Sequence, residues 1–84
     1  MAIEEIRLQR GRQRNTAIGS FGVIYVDARE GHPLTVRLGV AAEEENRYTL
    51  RPGDTFPVGD QTWRLDRVDD PGGRDWTVVL TKVG

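Results

Sequence analysis

The chain has 84 residues, no cysteine, one histidine and a formal charge of −1, from 12 basic and 13 acidic side chains. The absence of cysteine excludes disulfides, thiolate metal sites and thiol nucleophiles. The balanced charge gives neither the basic field of a general nucleic-acid binder nor an acidic tail. A chain of this length hides about 60–65% of the surface that it exposes when unfolded, so we expect one domain over residues 1–84.

The first ten residues fit either a strand or a helix. Ile6 and Leu8 alternate with charged residues as in a strand, whereas Ile3 and Ile6 are three residues apart, as on one side of a helix. We favour the strand, because an isolated helix of this length is marginal in water. The opening residues lack the order of a signal peptide, and no apolar run reaches the roughly 20 residues that span a bilayer. We therefore expect a cytoplasmic protein without a membrane partner.

Four arginines within eight residues make this segment the most concentrated basic stretch of the sequence. They are Arg7, Arg10, Arg12 and Arg14. Guanidinium groups in such a cluster can contact the phosphates of a nucleic acid, but a strand edge that resists aggregation through charge has the same composition. We favour the charged edge or a protein contact, and we keep the four arginines as candidate binding residues.

Residues 21–26 are apolar at nearly every position, which predicts a central strand covered on both faces. Ser20 does not fit a nucleophile elbow, because the G-x-S-x-G frame is displaced by one residue. An RNA-binding aromatic strand is also a poor match, since Val23 and Val26 replace the stacking aromatics. His32 lies in a Gly-His-Pro turn without the partners that catalysis or metal binding requires. We predict no catalytic residue, no metal and no cofactor.

The clearest strand signal covers residues 34–40, where every even position is apolar and every odd position is polar or glycine. This period of two puts the apolar side chains on one buried face. Residues 41–47 are the remaining helical candidate, with one turn between strands. The acidic run within them, Glu43–Glu45, is typical of a solvated loop, because the spacing of a calcium loop is absent.

The C-terminal half alternates short strands with turns. Residues 51–54 read Arg-Pro-Gly-Asp, the chemistry of a type II turn, and Pro57 predicts that the next strand is an edge or a bulge. Trp63 and Trp76 then fall on neighbouring predicted strands, so the two indoles are expected near each other. We favour a core role for both, and we keep them as a candidate face for a ligand or a nucleic-acid base.

The same half carries a family resemblance. Residues 51–59 read R-P-G-D-T-F-P-V-G, and residues 63–68 read W-R-L-D-R-V. With these stretches the chain resembles a family of small, functionally uncharacterised actinobacterial proteins over nearly its whole length. The resemblance implies a bacterial, high-GC origin and one all-β domain, and it carries no catalytic or binding residue to this sequence.

We therefore expect an all-β domain, a small antiparallel barrel or sandwich of six to seven short strands. The closed barrel is favoured, because it leaves no free sheet edge. For function we expect a non-catalytic interaction or accessory module that acts through protein–protein contacts, with another protein or with itself. The alternative is a small-molecule or nucleic-acid binding module that uses the Trp63/Trp76 face or the Arg7–Arg14 arm. An enzyme is the least favoured class.

Overall fold

The computed structural model describes residues 4–83, which form eight strands and no helix. In chain order they are β1 (Glu5–Gln9), β2 (Arg14–Thr16), β3 (Gly19–Asp27), β4 (Thr35–Ala41), β5 (Glu45–Leu50), β6 (Thr55–Val58), β7 (Gln61–Asp69) and β8 (Thr77–Val83). All paired strands are antiparallel. No helix within these residues is long and apolar enough to cross a membrane.

The strands form two sheets of four within the described residues. The order is β1-β8-β7-β6 in the first sheet and β2-β3-β4-β5 in the second. The all-β prediction is confirmed, with the sandwich as its form. The closed barrel that we favoured does not form in residues 4–83, because each sheet keeps two edge strands of its own. The short β2, whose residues are Arg-Asn-Thr, raises the number of strands in this range above the six or seven expected.

The core lies between the sheets and is built from the alternate positions that the period of two predicts. The strand predicted at residues 34–40 is confirmed, since β4 buries Val36, Leu38 and Val40. β1 buries Ile6 and Leu8, so the strand is also confirmed at the N-terminal segment. The other core residues are Phe21, Leu50, Phe56, Val58, Trp63, Leu65, Val78 and Leu80. Side chains from both sheets therefore fill the core of the sandwich.

The turn after β5 has the predicted type II chemistry. The amide of Asp54 donates to the carbonyl of Arg51 at 2.9 Å, and Gly53 has a φ of 96°. The turn is tied to β7, because the amide of Gly53 donates to the carbonyl of Leu65 at 2.7 Å. β6, which contains Pro57, is an edge strand of the first sheet as predicted.

Two predictions about the second sheet are wrong. β3 is not covered on both faces, since Ile24 is 52% exposed and Tyr25 is 50% exposed. The reason is a β-bulge between Val23 and Tyr25, where the register with β4 shifts by one residue. Alternation restarts there, so a continuous apolar run passes from the inner to the outer face. The helical candidate at residues 41–47 instead covers the last residue of β4, the hairpin turn at residues 42–44 and the first half of β5.

Candidate interaction surface on the second sheet

The two tryptophans are not neighbours, although Trp76 packs against the edge of the core that buries Trp63. Trp63 is fully buried in β7, where its ring centroid lies 6.4 Å from that of Phe21 in the opposite sheet. Its indole nitrogen donates to Oε1 of Gln61 at 3.0 Å. Trp63 pairs with Lys82, whereas Trp76 precedes the first residue of β8. The six residues from Trp76 to Lys82 place the backbones of the two tryptophans about 20 Å apart along the sheet. Trp63 therefore contributes to the core, and Trp76 is left at the sandwich end.

The four arginines are divided between two grooves. Arg7, Arg12 and Arg14 line one groove of about 410 Å³, and Arg10 lines another together with Trp76. Among residues 4–83, Arg7 is the member of the set that forms an ion pair, with its Nε 3.4 Å from Oε2 of Glu5. The chain turns between β1 and β2 to pass from the first sheet to the second, and Arg7 lies before this turn although it shares a groove with Arg12 and Arg14.

The outer face of the first sheet is covered by charged side chains. Asp66, the extra residue of a bulge in β7, accepts from Nη1 of Arg67 at 2.8 Å and lies 3.8 Å from Nη2 of Arg64. The hydrogen bond to Asp66, with the charge of Asp69, raises the pKa of Arg67. Val79 pairs with positions carrying arginine on both sides and is fully buried. Arginine stems can cover such an apolar residue while their charges remain in water.

The outer face of the second sheet has a different composition. Gly22 and Gly39 pair directly across β3 and β4, and Ile24 and Tyr25 rise beside them. On the next row, Nη1 of Arg37 donates to Oγ1 of Thr49 at 2.7 Å. We call this surface the open face; its residues are Gly22, Ile24, Tyr25, Arg37, Gly39, Arg47 and Thr49. The apolar side chains here have no arginine cover comparable to that of Val79 in the described part of the chain.

Two grooves meet at Ile24. The first, of about 280 Å³, lies over the glycine pair. The second, of about 510 Å³, runs from Tyr25 to Trp76 and Arg10. Ile24 lines both, so it forms a ridge between two depressions on a broad surface.

The fold does not need glycine at either position of the pair. A Cβ on Gly22 would meet no atom within 4 Å among the described residues, and one on Gly39 would lie 3.7 Å from the carbonyl oxygen of Gly22. The φ of neither residue lies in the left-handed region. Glycine inside a strand destabilises the protein by about 0.5–1 kcal/mol relative to alanine. Glycine in a strand often marks a bulge, such as the one at Ile24 beside this pair, or a place where another molecule approaches the backbone closely.

The ends of the open face carry opposite charges. The hairpin turn before β5 contributes Glu43 and Glu44, and β5 begins with Glu45, which lies 3.7 Å from Arg47. The other end carries Arg37 and Arg51, and neither forms an ion pair within residues 4–83. Oδ2 of Asp54 accepts from the amide of Arg51 at 2.9 Å, so the second end also holds a carboxylate. With three carboxylates against Arg47 at one end and two guanidinium groups against Asp54 at the other, the first end is net acidic and the second is net basic.

Asp27, the last residue of β3, forms a separate ion pair with Arg29. Nε and Nη2 of Arg29 donate to the two carboxylate oxygens of Asp27 at 2.9 and 3.0 Å. The hydrogen bond from Arg29 lowers the pKa of Asp27 below its ordinary value of 3.8. Arg29 is therefore already paired, and it is not a free cation for a partner of the open face.

The sequence did not single out the open face, although one signal was present. Residues 21–26 are apolar where a half-covered strand would alternate, and a bulge within the run explains the break. No group of three or more His, Asp or Glu side chains in residues 4–83 is placed to hold a metal ion.

Comparison with known proteins identifies a family but no function. A family model described as "Family of unknown function (DUF6406)" matches residues 3–84. No curated protein and no solved structure matches the chain. The match agrees with the resemblance to an uncharacterised family over nearly the whole length.

Proposed function

Because the chain belongs to DUF6406, a family of unknown function, we propose from its surface that it is a non-catalytic module that binds a protein through the open face. One observation carries this proposal: half-exposed Ile24 and Tyr25 stand beside a glycine pair that the fold itself does not need. Exposed apolar side chains grouped on one face are typical of interaction sites. The actinobacterial source and the cytoplasmic location belong to the same proposal.

The shape of the open face favours a protein over a small ligand. The two grooves beside Ile24 are open to solvent and lie side by side, about 280 and 510 Å³ in volume. Small-molecule sites are usually enclosed clefts in which a few polar groups converge. A ridge between two shallow grooves suits a partner surface with its own ridges and depressions.

Site-specific photo-crosslinking in cells that naturally express the protein tests this function. A photoreactive amino acid replaces Tyr25 on the open face or, as a matched control, Arg64 on the outer face of the first sheet. Both side chains are exposed. We expect protein adducts from position 25 at several times the yield from position 64. Equal yields from the two positions, or none from position 25, would contradict the proposal.

A second candidate function keeps the arginine groove as a nucleic-acid site. The observation in its favour is that Arg7, Arg12 and Arg14 line one groove of about 410 Å³. Phosphate contacts weaken with salt, with a logarithmic slope of about −0.9 per phosphate on duplex DNA. A titration with a short duplex at two salt concentrations, on the wild type and on Arg12→Glu/Arg14→Glu, decides this candidate. Binding that weakens both with salt and in the variant would support it over the open face.

The predicted small-molecule site at the Trp63/Trp76 face would have only one of the two tryptophans available. Trp63 is fully buried, so it cannot line a surface site. Trp76 remains, in the groove that it shares with Tyr25 and Arg10. A ligand there would contact the same ridge that we assign to a protein partner.

A further inference from the structure

We propose that the partner of the open face is a second copy of this chain, packed face to face. The two-fold axis lies in the plane between the two facing sheets and runs perpendicular to the strands. The inference rests on the proposed function and names its partner. Two-fold interfaces are the commonest in soluble oligomers, and they require a surface that is complementary to itself. The open face meets this requirement in both shape and charge.

The shape argument follows from the strand register. Val23, Leu38 and Tyr48 form the middle row of the second sheet across β3, β4 and β5. The row on one side is Gly22, Gly39 and Arg47, and the row on the other is Tyr25, Arg37 and Thr49. An axis over the middle row places Tyr25, which lies beside the ridge at Ile24, over Gly22 of the other copy, and Arg37 over Gly39. The ridge and the depression that receives it are thus present on one surface.

The same axis brings the charged ends together. On β5 and its continuation, Glu45 and Arg51 are each three residues from Tyr48, which lies in the middle row. A two-fold axis at Tyr48 therefore places Glu45 of one copy opposite Arg51 of the other, twice in each dimer. Arg51 forms no ion pair within residues 4–83, and Glu45 has only the long contact with Arg47. Both groups are free to pair across the interface.

Self-complementarity distinguishes a second copy from an unrelated protein. An unrelated partner requires only that the open face be complementary to the partner. It does not require that the ridge fit the depression over the glycine pair of the same face. Nor does it require that acidic and basic groups lie equally far from the middle row. Both conditions hold here, on residues that the core does not use.

The test is the solution mass of the purified full chain, by sedimentation equilibrium at low ionic strength. We expect the wild type to move with concentration from 9.5 kDa towards twice that mass. Glu45→Arg alone and Arg51→Glu alone each place like charges opposite each other, and each should weaken the dimer about tenfold or more. An equimolar mixture should recover wild-type affinity, because both contacts are then of opposite sign.

Arg64→Glu serves as the control for a change of charge, since Arg64 lies on the outer face of the other sheet. Its affinity should equal that of the wild type. Thermal melting of every variant by circular dichroism, at a concentration where the chain is monomeric, verifies that each one folds.

Three results would overturn the inference. They are a wild-type monomer up to about 1 mM, a dimer unaffected by either change of charge, and a mixture that fails to restore the dimer. The proposed function fails separately, in the crosslinking experiment. If position 25 crosslinks to another protein while the purified chain stays monomeric, the interaction module stands and the second copy is excluded.

Discussion

Replacing the cross-strand glycines with alanine should stabilise the protein. A Cβ on Gly22 enters open space, and one on Gly39 makes only ordinary contacts of 3.7 Å with the Gly22 carbonyl oxygen and 3.9 Å with Cδ1 of Ile24. Each change removes the extra backbone freedom that glycine has in the unfolded chain. We expect about 0.5–1 kcal/mol from each change and about 1–2 kcal/mol from Gly22→Ala/Gly39→Ala.

The size of the effect is measurable in a domain of this length. A change of 1 kcal/mol shifts the melting temperature by roughly 4–8 °C in domains of 60–100 residues. The double variant should therefore melt about 5–15 °C above the wild type, and urea unfolding should give the same free-energy difference. The comparison uses a protein concentration at which both chains are monomeric, because association would also stabilise the folded state.

Gly53→Ala is the matched control. A Cβ at Gly53 likewise meets no atom within 4 Å in residues 4–83, but its φ is 96°, a conformation that L side chains rarely adopt. We expect Gly53→Ala to destabilise the protein by about 1–2 kcal/mol. The two sites differ in backbone conformation rather than in available space.

Destabilisation by Gly22→Ala or Gly39→Ala would refute this reasoning. Glycine would then be required by the fold, and the glycine pair would no longer indicate the close approach of a partner. If the double variant is more stable and at the same time dimerises less, its two methyl groups occupy the floor that the ridge of the second copy needs. This combination is a common trade of stability against function.

Two further predictions concern the core and the Asp27–Arg29 pair. Trp63→Ala should destabilise the protein by about 3–5 kcal/mol in urea unfolding, because Trp63 is fully buried. Trp76→Ala should destabilise it by much less, since Trp76 is only partly buried. Comparable losses of stability would show that Trp76 contributes to the core as much as Trp63 does. An NMR titration should give Asp27 a carboxyl pKa below 3.8, and Arg29→Ala should return the pKa towards that value. Since the folded pKa is the lower one, the stabilisation is present above pH 3.8 and is lost as the pH falls through the folded pKa. A midpoint unchanged by Arg29→Ala would disprove the assigned cause.

The sequence predicted the inward-facing side of most strands and much less about their neighbours. Alternation in β4 identified Val36, Leu38 and Val40 as core residues, because one covered face leaves a period of two. Alternation cannot show which strands pair. β1 pairs with β8, at the far end of the chain, rather than with β2, the next strand. This choice determines whether the sheet closes into a barrel, and it depends on contacts that no local pattern records.

The candidate site was harder to predict, for two physical reasons. A bulge at Ile24 changes the side to which later residues of β3 point, so its exposed positions look the same as buried ones in the sequence. The chain turns from one sheet to the other at Gly11, whose φ is 74°, and Arg10 lines a different groove from Arg7, Arg12 and Arg14. Proximity along the chain therefore predicted one cluster of four arginines, of which three share a groove. Trp63 and Trp76 were predicted to be neighbours, but they lie near opposite ends of β8.

The pairing of β1 with β8 also determines where the ends of the chain lie. The amide of Lys82 donates to the carbonyl of Glu4 at 2.8 Å, so the two ends of the described chain are adjacent on the first sheet. A short linker could therefore join them, with new ends opened at the exposed turn of residues 70–73. The same placement means that a protein fused at either end emerges from the first sheet and leaves the outer face of the second sheet uncovered. The open face can thus be presented at the surface of a larger polypeptide without a change in the sandwich.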